Sequence, residues 1–182
     1  MKLTILFLLL ITSLYSESKV YMGLNYGIFS ESFGDIDATS SSHITTVKIG
    51  YGDIKAYAVE FSFDYTQNNS KIFSSTNISS DGNKIGFNVS LLKSFDFNYL
   101  YPFIKVGFGT GSLAIDRALQ SSLSYGSFQG SLGTYIPLSE SFDIELGYEL
   151  RHTSYESVNT IVTTTSYSSL VNIAYVGINY RY

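Results

Sequence analysis

Cysteine is absent from the 182 residues, which excludes disulfides, zinc–thiolate sites, a cysteine nucleophile and a lipid-modified N-terminal cysteine. Proline occurs only twice, and charged residues make up 14% of the chain against about a quarter in an ordinary soluble domain. No stretch is strongly basic and the net charge is −4, so the electrostatic footprint of a nucleic-acid binder is missing. Beyond the first residues there is no apolar run long enough for a membrane-spanning helix. What is abundant points the other way: 16 tyrosines, 13 phenylalanines and 15 glycines suggest β structure with much apolar surface. The length suits one domain.

The N-terminus carries the compartment signal that cysteine does not. Met1-Lys2 precedes LTILFLLLITSLY, an apolar run with one leading charge and small residues after it. It resembles a secretory signal peptide, with cleavage expected after Ser16 or Ser18. The run from Leu3 to Tyr15 falls short of the roughly 20 residues a spanning helix needs. Residues 1–18 are therefore read as an export signal and 19–182 as the mature domain.

From Lys19 onward the chain divides into alternating segments of about ten residues, the length of a tilted transmembrane strand. Eight are predicted, over 19–30, 43–52, 55–66, 83–93, 98–111, 123–137, 141–153 and 169–182. In the seventh, Phe142, Ile144, Leu146, Tyr148 and Leu150 alternate with Asp143, Glu145, Gly147, Glu149 and Arg151. The connections alternate too. GDIK, KSFDFN and PLSES are short, whereas the segments 31–42, 67–82, 112–122 and 154–168 are long and rich in Ser, Thr and Asn. Eight strands joined in this way fit an all-β, antiparallel up-and-down transmembrane barrel, with tight turns on the periplasmic side and loops outside.

Volume decides which face lies inside. Ten glycines, Gly23, Gly50 and Gly147 among them, fall opposite the bulky apolar residues, and an eight-stranded barrel is just wide enough for side chains. The apolar face then looks outward, where only lipid would tolerate so much of it. Lys48, Glu60, Asp64, Lys105, Glu145, Glu149, Arg151 and Arg181 are placed inside. Buried charges must pair, so an interior salt-bridge network that plugs the barrel is expected. Tyr51, Tyr57, Phe97, Tyr99, Tyr101, Tyr135 and Phe142 are assigned to an aromatic girdle on the short-turn side.

The last eight residues, YVGINYRY, resemble the C-terminal signal of bacterial outer-membrane β-barrels, with Gly177, Tyr180 and Tyr182 at the places of its glycine and two aromatics. That resemblance implies recognition by the barrel-assembly machinery and a last strand that closes on the first. The whole mature chain is similar to the small outer-membrane barrels typified by the OmpA transmembrane domain and OmpX, and YPFIKVGFGTG looks like their fifth strand. The resemblance implies a bacterial outer-membrane location, contact with lipid and lipopolysaccharide, no cofactor, no nucleic-acid partner, and surface interaction through the four long connections. The expected role is presentation of those loops for envelope structure or adhesion.

Two alternatives rest on particular features. RHTS, residues 151–154, resembles a stretch of the outer-membrane lipid A deacylases, with His152 and Ser154 on one face; but a serine nucleophile needs an oriented base, and only Glu156 could orient it. A soluble lipocalin-like carrier would have the same strand count with its faces exchanged. His43, near a loop and without a carboxylate pair, suggests no metal site. GFGTG, residues 107–111, has no following helix and cannot form a phosphate cradle.

Overall fold

A computed structural model of the chain describes residues 19–34, 38–67, 73, 81–117, 120–159, 164–165 and 167–182. The segment 1–18, read as an export signal, lies outside them. The described chain forms β1 (Lys19–Phe33), β2 (Ala38–Gly52), β3 (Tyr57–Thr66), β4 (Lys84–Ser94), β5 (Tyr101–Arg117), β6 (Gln120–Pro137), β7 (Phe142–Tyr155), β8 (Val158–Asn159), β9 (Thr164–Thr165) and β10 (Ser168–Arg181). Eight of them close into a barrel in the order β1-β10-β7-β6-β5-β4-β3-β2, and β8 and β9 form a separate two-residue ladder. Every pairing is antiparallel. The closing seam joins the chain's two ends, with Tyr21 opposite Arg181 and Ser32 opposite Leu170.

The three short turns are built by local side chains. In the first, Asp53 accepts the Lys55 amide at 2.9 Å, and its own amide reaches the Tyr57 carbonyl at 2.8 Å. Gly52 enters that turn at φ 137°, and a Cβ there would lie 2.4 Å from the Tyr57 carbonyl oxygen, so only glycine fits. Asn98 takes φ 68° in the second turn, where Asp96 accepts its amide at 2.8 Å. In the third, Ser139 Oγ accepts the Phe142 amide at 3.1 Å.

Alternation continues further on the other side of the barrel than the composition suggested. Segments 31–42 and 112–122 were expected as loops, yet β1 pairs β2 out to Phe33 and Ala38, and β5 pairs β6 out to Arg117 and Gln120. The Ser- and Thr-rich residues there still obey period two: Glu31, Phe33, Leu113, Ile115 and Leu123 point inward and are buried. Polar outward residues hide the strand because they alternate against an interior that only the closed barrel supplies.

Outward, the wall is apolar. Met22, Leu24, Phe61, Phe87, Phe108, Phe128, Leu132 and Val176 are among its exposed side chains. Inward, polar groups sit between apolar layers. Tyr21, Ile54, Ala58, Leu92, Tyr101, Phe103 and Tyr135 pack at the short-turn end. Phe33, Phe73, Leu113, Ile115, Leu123, Tyr125 and Tyr155 pack at the opposite end, with Tyr167 against them. Tyr101 and Tyr135, expected in the external girdle, are therefore corrected to the interior. They face each other across β5 and β6 and share parity with Phe103 and Lys105. Tyr51, Tyr57, Phe97, Tyr99 and Phe142 are exposed, as a girdle requires.

Some interior glycines make room for aromatic rings against the wall. A Cβ at Gly50 would meet Tyr21 Cζ at 2.0 Å, one at Gly147 would meet Tyr175 Cζ at 2.3 Å, and one at Gly133 would meet Phe103 Cζ at 2.4 Å. Large rings and missing side chains thus share the volume that an eight-stranded lumen provides.

The barrel interior as candidate functional site

Seven of the eight barrel strands contribute to one compact cluster of charge. Lys48 Nζ lies 3.0 Å from Glu60 Oε1 and also pairs with Glu145 Oε2. Lys105 Nζ lies 2.7 Å from Glu60 Oε2 and 2.8 Å from Glu145 Oε1. Each lysine thus bridges both glutamates, and the four charges cancel. Tyr21 donates to Glu60 at 2.7 Å and Tyr135 donates to it at 3.2 Å. Tyr175 and Asn179 donate to Glu145 at 3.2 and 3.1 Å. All four charged side chains are buried, so these partners replace the water they have lost.

A second group centres on Arg151. Its guanidinium reaches Asp64 at 2.8 Å and Glu149 at 2.7 Å. Asp64 also accepts Thr46 at 2.7 Å and Asn88 at 2.8 Å, while Ser131 donates to Glu149 at 3.1 Å. At the short-turn end Arg181 and Asp143 form a two-point pair of 2.8 and 3.0 Å, and the same guanidinium donates to the Ser139 carbonyl at 3.2 Å. All eight residues that alternation placed inside, Lys48, Glu60, Asp64, Lys105, Glu145, Glu149, Arg151 and Arg181, therefore stand in ion pairs within the lumen.

Three further charged residues, Asp143, Lys84 and Glu31, stand in ion pairs here and were not among the eight expected. Asp143 shares parity with Glu145 and stands two residues before it. Lys84 and Glu31 pair at 3.0 Å near the long-connection end. Tyr155 donates to Glu31 at 2.5 Å and accepts from Lys84 at 2.6 Å, and Ser169 donates to Glu31 at 2.5 Å. The Lys84 ammonium also sits 4.8 Å from the Tyr125 ring centre and 5.0 Å from that of Tyr155. Parity would have found Glu31, had 31–42 not been read as a loop.

Gly177 faces inward against Asn25, while Tyr180 and Tyr182 are exposed on the outer wall. The Tyr182 amide donates to the Val20 carbonyl at 3.0 Å, which carries the seam to the final residue. His152 and Ser154 are exposed on the outward face, with His152 between Phe128 and Leu170 in the register. No side-chain hydrogen bond joins His152, Ser154 and Glu156 among the described residues. His43 stacks on Tyr26 with ring centres 5.5 Å apart.

A closed eight-stranded wall, apolar outside and ion-paired within, defines a transmembrane β-barrel. The chain belongs to the outer membrane protein beta-barrel domain family, which matches residues 4–181. Among solved structures it is similar to Neisserial surface protein A, at 13% identity over 90% of this chain and 97% of that one, with a TM-score of 0.63. Ail, the attachment invasion locus protein of Yersinia pestis, is similar at 19% identity over 91% and 99% of the two chains, TM-score 0.55. The N-terminal β-barrel domain of Pseudomonas aeruginosa OprF is similar at 10% identity over 88% and 97%, TM-score 0.53. At these identities the likeness is one of fold. No curated protein matches the sequence. The protein is a small eight-stranded barrel of the bacterial outer membrane.

Proposed function

We propose that the barrel is a rigid scaffold that presents its long connections at the cell surface, for adhesion or support of the envelope, and that its interior network plugs the lumen. The observation that carries this reading is the shape of the wall. On the long-connection side β1, β2, β5 and β6 continue past the apolar belt with Ser30, Ser32, Thr39, Ser41, Thr110, Ser112, Ser122 and Ser124 outward. Such a polar rim stands clear of lipid and raises the connections above it.

The ion pairs support a plug: the space left among Lys48, Glu60, Asp64, Lys105 and Arg151 is about 40 Å³, room for a few waters. A structural likeness to a protein whose name describes attachment and invasion agrees with surface presentation without extending that activity to this chain. On the same reading residues 1–18 are removed on export, and Gly177, Tyr180 and Tyr182 address the last strand to the assembly machinery.

The lack of cysteine supplies the test. A cysteine at Ser121, on the long-connection side, should react with a membrane-impermeant maleimide on intact cells, and one at Glu140, in a short turn, should not. Labelling from outside at Glu140→Cys would reverse the orientation and sink the proposal. Planar-bilayer recordings should show no steady ion current; a sustained current would sink the plug.

A further inference from the structure

The outward faces of β1, β2, β3 and β4 carry a single Lys, Arg, Asp or Glu among the described residues, and it is Lys93. It lies at the short-turn end of β4, opposite Tyr57 on β3 and Ile104 on β5. Its ammonium sits 3.8 Å from the Tyr57 ring centre and 5.4 Å from that of Phe95. No described carboxylate pairs with it. The interior handles charge differently, since each of its lysines meets a glutamate. A lone cation on a lipid-facing wall, held between two rings at the level of the exposed Tyr51 and Tyr57, is directed at an anion supplied from outside the chain.

A second feature lies above it on the same wall. Val47 and Ile49 on β2 are smaller than their neighbours Phe61 and Phe63 on β3, and between them and Met22 on β1 lies a furrow of about 360 Å³ closed on the far side by Phe87. Val89, in register with Phe61 at the furrow's lower edge, is four residues from Lys93. At the rise of an extended strand that is about 13 Å. Half the apolar thickness of a bilayer is about 15 Å, so a lipid anchored at Lys93 reaches the furrow with its tail.

We propose that Lys93, Tyr57 and Phe95 with this furrow form a site for one anionic phospholipid of the periplasmic leaflet, the ammonium binding the headgroup phosphate and the furrow one acyl chain. The site rests on the short turns facing the periplasm, which the cysteine labelling above tests separately. Its own test uses the purified barrel in detergent, each variant first shown to keep its heat-dependent gel shift. Native mass spectrometry then counts retained phosphatidylglycerol against phosphatidylcholine. The wild type should retain one phosphatidylglycerol with a preference of about fivefold, the effect of one lysine at an anionic surface. Lys93→Gln should abolish the preference and Lys93→Arg should keep it. Val47→Trp, which fills the furrow, should weaken both lipids. An unchanged preference in Lys93→Gln, or displacement of the lipid by glycerol phosphate alone at equal concentration, would overturn the proposal.

Discussion

Glu145 is the residue on which the interior network can be tested most sharply. It is fully buried, it accepts from Lys48, Lys105, Tyr175 and Asn179, and no other carboxylate lies between the two lysines except Glu60. Glu145→Gln keeps the shape and an acceptor for Asn179 but leaves the four-residue cluster with one uncompensated positive charge. Breaking a buried pair from one side costs about 3–5 kcal/mol, because the remaining charge has lost both water and partner. With a urea slope of about 2 kcal/mol per molar, the unfolding midpoint of the barrel in lipid vesicles should fall by about 1.5–2.5 M. The charge argument adds a stricter demand. Lys48→Met combined with Glu145→Gln restores neutrality, leaving Glu60 paired with Lys105 alone at 2.7 Å. The double variant should therefore be more stable than Glu145→Gln by about 1 kcal/mol or more, a coupling typical of residues in one network. A midpoint shift below about 0.5 M for the single variant, or a double variant whose losses simply add, would refute the reasoning.

Three further outcomes are expected. Gly50→Ala places a methyl 2.0 Å from Tyr21 Cζ and must push the ring off the wall and away from Glu60, so it should destabilise by about 1–3 kcal/mol in the same unfolding assay, and much less in a Tyr21→Ala background. Tyr155→Phe removes the hydroxyl between Lys84 and Glu31 and should cost about 1–3 kcal/mol, against almost nothing for Tyr51→Phe on the outer wall, where the hydroxyl is exposed. His152→Ala and Ser154→Ala, exposed and unlinked, should each change stability by less than about 0.5 kcal/mol. Neither should change lipid A acylation as read by mass spectrometry of the envelope.

Much of this architecture is written in parity. Alternation in β7 places Glu145 and Arg151 inside and Leu146 and Tyr148 outside without any knowledge of neighbours. It cannot say which charges meet, because Lys48 and Glu145 are 97 residues apart and come together only through the register of a closed wall. The same limit explains Tyr101 and Tyr135. An aromatic near a strand end suits a lipid interface and a lumen equally well by type, and only counting outward from Lys105 and Ser131 puts both inside. The Glu31–Lys84 pair was hidden for a different reason. Ser and Thr at outward positions in 38–43 look like a loop until the inward residues have something to pack on. Phe73 shows the furthest reach of this limit. It belongs to a long connection, yet it is buried against Phe33, Tyr155 and Tyr167, its amide held by Asp81 at 3.2 Å. No local pattern in 67–82 announces it.

The shared lysine–glutamate cluster has a consequence for the order in which the barrel can be made. Its members come from β2, β3, β5 and β7, and no hairpin of adjacent strands satisfies it. An incomplete sheet that entered lipid early would carry charges with partners still to come, at a free-energy cost that rises with each strand inserted. Tyr175 and Asn179 reach Glu145 as soon as β10 pairs with β7, but only when β10 docks on β1 and the wall closes do Lys48 on β2 and Glu145 on β7 meet and the Tyr182 amide reach Val20. By that cost the interior chemistry favours insertion of the completed wall over insertion of a partial one.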